Sequence, residues 1–328
     1  TGDVAAALRD ASDSLRSRPF DLNSEVLFQG VLCQPAVGEV SEGESPGSGL
    51  LIRIHHIVCD GISLEQICSD LAHFYTPLSD GIPDVPAGVN HETTKGLSHH
   101  PTNIKQFRQY VDAAAERDLG PSLDYWREQF ATPPETLDIL LDKPRPAVPA
   151  LSGESKQRIF SSELRAGLEQ LCAQQSSTLF MGVLALVYAV LAKLTRVEDL
   201  VVGVPVSGRS QRDTLDVVGP FVNTLALRRP VDLSQSFLAL LLSTRTAVLE
   251  GMRHQMLPFE SLVGSLPFKT DASRSPLFDV MLGLTDEQQE RLTLDGSLGY
   301  PIDVANSTAK VDLTFHFVAL QSGALALE

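Results

Sequence analysis

The sequence predicts a two-lobed α/β protein. Short apolar runs suited to buried strands alternate with segments of helical spacing, and they do so twice. A proline-rich stretch, TPPETLDILLDKPRPAVPAL at 132–151, separates the two sets and reads as a linker. The expected lobes are therefore 1–140 and 141–328. With 328 residues, 43% of them hydrophobic, the chain is long enough for each lobe to have its own core.

The elements follow in order. SEGESPGSG at 41–49 is a loop by composition, and LLIRI at 50–54 a buried strand. That strand runs straight into HHIVCDG at 55–61. Ser63 opens a helix, with Gln66 completing a capping-box pattern and Leu64, Ile67, Cys68, Leu71 and Phe74 at helical spacing. A polar loop covers 81–102, and helices are expected near 104–117 and 122–130. In the second half KQRIF at 156–160 reads as a strand, followed by helices at 162–174 and 178–194. Strands are expected at 199–205 and 221–228, a long helix at 234–252, and several short strands beyond Pro276. The first residues resemble the middle of a helix and the last, GALALE, a strand cut short, so the chain reads as a fragment, incomplete at both ends.

Bulk properties narrow the function. A formal net charge of -15 repels phosphate backbones, which argues against nucleic acid as a partner. The longest apolar run, Leu179 to Ala192, contains Gly182 and stops at Lys193. It is short for a membrane span and fits a buried helix. The N-terminus has no signal-peptide core. Cys33, Cys59, Cys68 and Cys172 form neither a CxxC pair nor a disulfide framework, so they read as reduced, mostly buried thiols of a cytoplasmic protein.

HHIVCDG is the sharpest chemical signal. Neighbouring His55 and His56 point to opposite sides of an extended segment, so one faces a cavity while the other is held by the core. An imidazole accepts or positions the proton of an attacking amine or hydroxyl near neutral pH. Asp60 is placed to fix either the loop or the ring orientation, and Gly61 lets the backbone approach a ligand closely. The segment lies between a strand end and a helix N-terminus, where backbone N–H groups are free. For a single histidine, a core role with Asp60 as a helix cap is the better reading; the four positions together favour chemistry.

Other candidates are less specific. Arg209, in VPVSGR, follows a buried strand and either pairs with Asp60 or sits exposed in a loop. Asn223 either bonds a ligand amide or satisfies a backbone group in the core; Arg228 lies on the other face of the same strand. His91, His99 and His100 lack the Cys or carboxylate spacing of a closed site, so no metal is expected. His73, His254 and His316 are read as structural. GESPG at 43–47 matches a nucleophile elbow in letters only, since an elbow needs a strand before it and a helix after it. With no nucleotide motif and no credible nucleophile, direct attack of one substrate on another is favoured over an acyl-enzyme.

Several segments together resemble the condensation-domain family of nonribosomal peptide synthetases. They are RPFDLNSEVLFQGVL, HHIVCDGIS, LDYWREQF, TLFMGVLALVYAVLAKLTRVEDLVVGVPVSGR, VGPFVNTLALR, HQMLPFESLV and SRSPLFDVML, in that order. HHIVCDG matches the family's HHxxxDG motif. The resemblance implies a V-shaped pair of chloramphenicol-acetyltransferase-like lobes with a tunnel reached by two carrier-protein phosphopantetheine arms. It implies that His56 is the catalytic histidine and His55 the structural one. Asp60 and Arg209 would form an inter-lobe salt bridge, the Gly61 N–H would lie near the thioester, and Ser63 and Asn223 become tunnel candidates. No cofactor of the domain's own is implied, because phosphopantetheine arrives on the carriers. The implied partners are donor and acceptor carriers and neighbouring domains of the same polypeptide. The family's opening motif has no counterpart before Thr1 and its last helices none after Glu328; Ile62 stands where the family often has Trp, and GLTDEQQ replaces the more usual end of the PLF motif. The expected reaction is amide formation between two carrier-bound thioesters. Ester formation, epimerisation and a non-catalytic carrier-docking module are the alternatives.

Overall fold

The computed structural model describes the chain apart from residues 1–3, 35–46, 80–105, 138, 140–142, 269–270, 288–291, 295–296 and 303–307. Residues 43–46 of the GESPG segment and the loop bearing His91, His99 and His100 fall outside the described residues. The chain divides into two compact units. One comprises Thr1–Ala115, Arg209–Phe221 and Gln289–Ala305; the other comprises Glu116–Gly208, Val222–Gln288 and Asn306–Glu328.

The first unit starts with helix α1 (Val4–Arg16), whose buried Leu8 lies on a two-stranded ribbon. Strand β1 (Phe28–Cys33) pairs antiparallel with β2 (Gly49–Ile54), from Phe28 opposite Ile54 to Cys33 opposite Gly49. A Cβ on Gly49 would sit 2.4 Å from Leu8 Cδ1, so glycine lets the helix close on the strand. The strand expected at 50–54 is present. Nothing in the periodicity announces β1. Its exposed positions include apolar Phe28 and Leu32 while half-buried Gln29 is polar, so apolar residues fall on both faces and no clean alternation appears.

Helix α2 (Gly61–Ser79) begins two residues before the expected start at Ser63. Asp60 is its cap. The Ser63 N–H donates to Asp60 Oδ1 at 2.9 Å, and the Leu64 N–H to the Asp60 carbonyl at 3.2 Å. The anticipated Ser63–Gln66 box is not formed, because Gln66 Nε2 donates instead to Asp70 Oδ1 at 2.6 Å. Helix α3 (Phe107–Ala115) completes the early part of this unit.

The second unit holds helix α4 (Gly120–Gln129), strand β3 (Arg158–Phe160), helices α5 (Ser162–Gln174) and α6 (Leu179–Thr195), and strands β4 (Asp199–Val206) and β5 (Asn223–Pro230). Helices α7 (Phe237–Arg253) and α8 (Phe259–Ser265) come next, then strands β6 (Val280–Asp286), β7 (Leu313–Ala319) and β8 (Leu325–Leu327). Six strands form one mixed sheet in the order β3-β8-β7-β6-β4-β5, with β6 parallel to both β4 and β7. Helix α6 is capped by Thr178, whose hydroxyl accepts from the Met181 N–H, and it buries most of its length. Its Tyr188 is fully buried and donates to the Leu227 carbonyl at 2.7 Å, tying α6 to β5. Among the described residues no single helix is long and apolar enough to cross a membrane.

The described residues of the proline-rich stretch at 132–151 belong to the second unit. Leu137 is buried, its carbonyl accepts from Arg274 Nη1 at 3.2 Å, and Arg145 pairs with Asp312. Prolines impose irregular backbone, but such backbone can still be pinned to a core. Helix α8 spans only seven residues, too few for a periodic pattern to register.

Close packing in the sheet yields a stability test. A Cβ on Gly203 would lie 2.4 Å from the ring of buried Phe278. Gly203→Ala is expected to lower the unfolding free energy by roughly 1–3 kcal/mol, as overpacked cores do, read as a lower urea midpoint with an unchanged slope.

Candidate active site

The HHIVCDG segment forms the turn between β2 and α2, and both ends of that turn are fixed. At the near end, the His55 N–H donates to the Leu27 carbonyl at 3.0 Å. The His55 ring meets Phe20 edge-on at 5.8 Å, and Arg53 stacks on the same Phe20 ring with its guanidinium carbon 3.9 Å from the centroid. The Ile57 N–H donates to His55 Nδ1 at 3.0 Å. That bond needs an unprotonated Nδ1, so neutral His55 carries its proton on Nε2. His55 therefore shapes the turn.

At the far end Asp60 is 5% exposed and its carboxylate accepts four hydrogen bonds. Its Oδ1 accepts from the Ser63 N–H at 2.9 Å, the Ser63 hydroxyl at 2.7 Å and Arg209 Nη2 at 2.9 Å. Its Oδ2 accepts from the Phe221 N–H at 3.1 Å. Ser63 is fully buried and its hydroxyl is used to capacity. It accepts from Arg209 Nη2 at 2.9 Å and from the Gly219 N–H at 3.0 Å, and its one proton has two acceptors in reach, Asp60 Oδ1 at 2.7 Å and the Gly219 carbonyl at 3.0 Å. It presents nothing to a substrate here.

Arg209 does more than neutralise Asp60. Its Nη1 donates to the carbonyls of Thr214 and, at 2.8 Å, Val217, which closes the 209–217 loop around the guanidinium. The Phe221 ring covers that group at 4.0 Å. Phe107 and Tyr110 of α3 pack on Phe221, and a Cβ on Gly219 would meet Phe107 at 2.3 Å. Both ends of the Asp60–Arg209 pair thus belong to the first compact unit, although 149 residues separate them in sequence. Burial pushes the Asp60 carboxyl up. Hydrogen bonds from Arg209 and Ser63 and the Arg209 charge outweigh it, holding the group below the ordinary carboxylate value.

Between these anchors His56 is exposed, and no side chain among the described residues bonds its ring. Gly61 follows at the start of α2. A Cβ there would meet nothing within 4 Å, so the first turn of the helix is open to an approaching group. His55, His56, Asp60, Gly61, Ser63 and Arg209 are all brought together in this one unit. Asn223 is not among them. Its Nδ2 donates to the carbonyls of Gln255 at 2.8 Å and Leu257 at 2.7 Å, and its Oδ1 accepts from the Phe259 N–H at 3.1 Å. It serves the backbone before α8, which is the second of the two roles open to it. Arg228 pairs with Asp199, Nε to Oδ1 at 2.9 Å. Gly219 and Phe221 are the contributors that local pattern does not reveal; their only signal is the VGPFVN segment.

Cys59 and Cys172 are buried, Cys33 half-buried and Cys68 exposed, all as free thiols. Among the described residues no group of three or more His, Cys, Asp and Glu is placed to hold a metal.

The Asp60 network predicts a pH signature. Asp60→Asn removes a buried charge that Arg209 faces, and should cost roughly 3–5 kcal/mol of unfolding free energy at neutral pH. A depressed carboxyl stabilises the fold above its unfolded value and loses that contribution as pH falls through the lower folded value. The gap between wild type and variant, followed by urea unfolding, should therefore be full at neutral pH and narrow as pH drops below 3.8.

A model described as "Condensation domain" matches residues 5–328. Tyrocidine synthase 3 of Brevibacillus parabrevis is 33% identical over 325 aligned positions, which cover 97% of this chain and 5% of that protein. Surfactin synthase subunit 1 of Bacillus subtilis (strain 168) is 33% identical over 298 positions, 90% of this chain and 8% of that protein. The chain thus spans a small fraction of these relatives. Among solved structures, a holo four-domain nonribosomal peptide synthetase bound to AMP and glycine superposes with a TM-score of 0.77 at 24% identity, over 98% of this chain and 24% of that one. The first condensation domain of the calcium-dependent antibiotic synthetase, in complex with a substrate analogue, gives 0.67 at 21%, over 99% and 66%. The fold shared with these structures is the chloramphenicol-acetyltransferase-like one expected from the motifs. The match runs almost end to end, and the HHxxxDG segment within it is the pinned turn described above: the chain belongs to the condensation-domain family.

Proposed function

We propose that this region joins two carrier-bound substrates by forming an amide bond. One carrier presents an acyl or peptidyl thioester, the other an aminoacyl thioester. The amine nitrogen bonds to the thioester carbonyl carbon, the C–S bond breaks, and the departing thiolate takes up a proton equivalent to the one the amine loses. His56 accepts or positions that amine proton. The Gly61 N–H at the start of α2 faces the oxyanion that develops on the carbonyl, with the helix dipole behind it. Holding two tethered thioesters together removes much of the barrier by itself, so positioning weighs heavily beside base strength.

One observation carries this reading. The ring of His56 is exposed and without a side-chain partner among the described residues, on a turn whose neighbours, His55 and Asp60, are both locked. A structural histidine in this family motif would be engaged, as His55 is. The open first turn at Gly61 adds support, because neither its packing nor its backbone angle demands glycine. A glycine that the fold does not need leaves room for a ligand to approach the backbone.

The test is turnover with one loaded donor carrier and one loaded acceptor carrier. His56→Ala should lower product formation by about 10²–10⁴-fold, and Gly61→Ala should lower it while leaving the unfolding midpoint unchanged. Full turnover in His56→Ala would remove the catalytic role. Product with an alcohol acceptor but none with an amine would replace the amide by an ester. Deuterium exchange at the α-carbon of a loaded aminoacyl carrier, without a new bond, would indicate epimerisation.

A further inference from the structure

The second unit contains a cleft of about 150 Å³ between α4, β5 and α7, formed entirely by residues of that unit. It is lined by Tyr125, Trp126, Arg228, Arg229, Thr246 and Glu250, among others. Its volume is about half that at which small-molecule pockets begin, roughly 300 Å³, and suits a single side chain.

The polar groups of the cleft are unevenly satisfied. Arg228 is paired with Asp199 and capped by the carbonyls of Gln129 and Thr132. Glu250 is held by Arg253 at 2.6 Å. Arg229 has neither kind of partner among the described residues. Strand alternation puts it on the same face as buried Leu225 and Leu227, the face that meets α7 and Trp126. Its Nε is buried without an acceptor, and no hydrogen bond or ion pair reaches its side chain among the described residues. The Tyr125 hydroxyl likewise bonds nothing there. The Tyr125 ring is fixed by stacking on His254 at 4.2 Å, and Trp126 by donating Nε1 to the His254 carbonyl at 3.2 Å. A cation and a hydroxyl donor thus wait in a preformed, aromatic-walled recess. Of these donors only Arg229 Nε is fully buried; the Tyr125 hydroxyl and the ends of the Arg229 guanidinium keep solvent exposure, so an acceptor entering the recess meets a charged donor that no protein group already holds.

We propose that this cleft is a docking socket for the carboxylate of an Asp or Glu side chain from another segment of the same synthetase polypeptide. Arg229 supplies a charged fork, Tyr125 a second donor, and the Tyr125 and Trp126 rings cover the alkyl stem. A carboxylate tethered on the same polypeptide arrives at high local concentration, so it fills the socket ahead of a free one of equal intrinsic affinity. In the relatives described above the matching region is 5% and 8% of the chain, so neighbouring polypeptide is abundant. The socket rests on family membership and is independent of the reaction proposed for His56.

Trp126 is the sole tryptophan, so its fluorescence reports on the cleft directly. The chain is titrated with N-acetyl-glutamate methylamide, its glutamine counterpart and inorganic phosphate. The glutamate probe should give a saturable change and the other two none. Arg229→Gln should weaken the response by about tenfold or more, and Arg229→Lys should keep part of it. Glu250→Gln, which removes the like charge across the cleft, should tighten binding by about twofold. No response to glutamate, an equal response to glutamine or phosphate, or an unchanged Arg229→Gln would overturn the socket. A photo-cross-linker replacing Gln129 in the synthetase polypeptide should label an acidic segment of its own chain. Labelling only of a second chain or of nothing would overturn the proposed source.

Discussion

One buried ion pair, Asp60 with Arg209, sets the geometry of the site. Two charges taken out of water are costly unless every lone pair and proton finds a partner. Here the carboxylate accepts four bonds, and the Ser63 hydroxyl between the two groups is used in all three of its directions. Such a network has little room to rearrange, because any slip strands a buried charge. The turn that follows β2 is therefore fixed at its far end by electrostatics and at its near end by the packed ring of His55. His56 stands between the two with its ring left over.

The same pair explains a long-range feature of the chain. Residues 209–221 leave the sheet strands on either side of them and pack with α2 and α3. Arg209 draws the carbonyls of Thr214 and Val217 around itself, and Phe221 closes over it. Gly219 is required where it stands, since Phe107 occupies the space a side chain would fill. A segment whose regular structure is limited to one short 3-10 turn, Arg212–Thr214, is thereby pinned by side-chain contacts.

Much of this was legible in the sequence, for identifiable reasons. Helices α5, α6 and α7 and strands β4 and β5 carry strong periodicity and clear caps, and their boundaries fall within about three residues of those expected. The HHxxxDG residues were visible because adjacent histidines followed by Asp-Gly between a strand and a helix are an unusual combination of side chains. What stayed hidden depends on tertiary context. Strand β1 turns Phe28 and Leu32 outward and polar Gln29 inward, and α8 is too short to signal. The start of α2 was misplaced because both Asp60 and Ser63 are good caps, and only the bonds to Arg209, Gly219 and Phe221 decide between them. For the same reason Ser63 looked available to a substrate, and Asn223 looked undecided until the backbone before α8 came into contact with it.

A double-mutant cycle on Asp60→Asn and Arg209→Gln tests the central claim most directly, with unfolding free energy and turnover both measured. If the pair fixes the turn, the double variant should lose little more than either single variant in both readouts, giving a coupling of about 1.5 kcal/mol or more. Losses that simply add would mean that the two residues act separately, and that the presentation of His56 rests on something else.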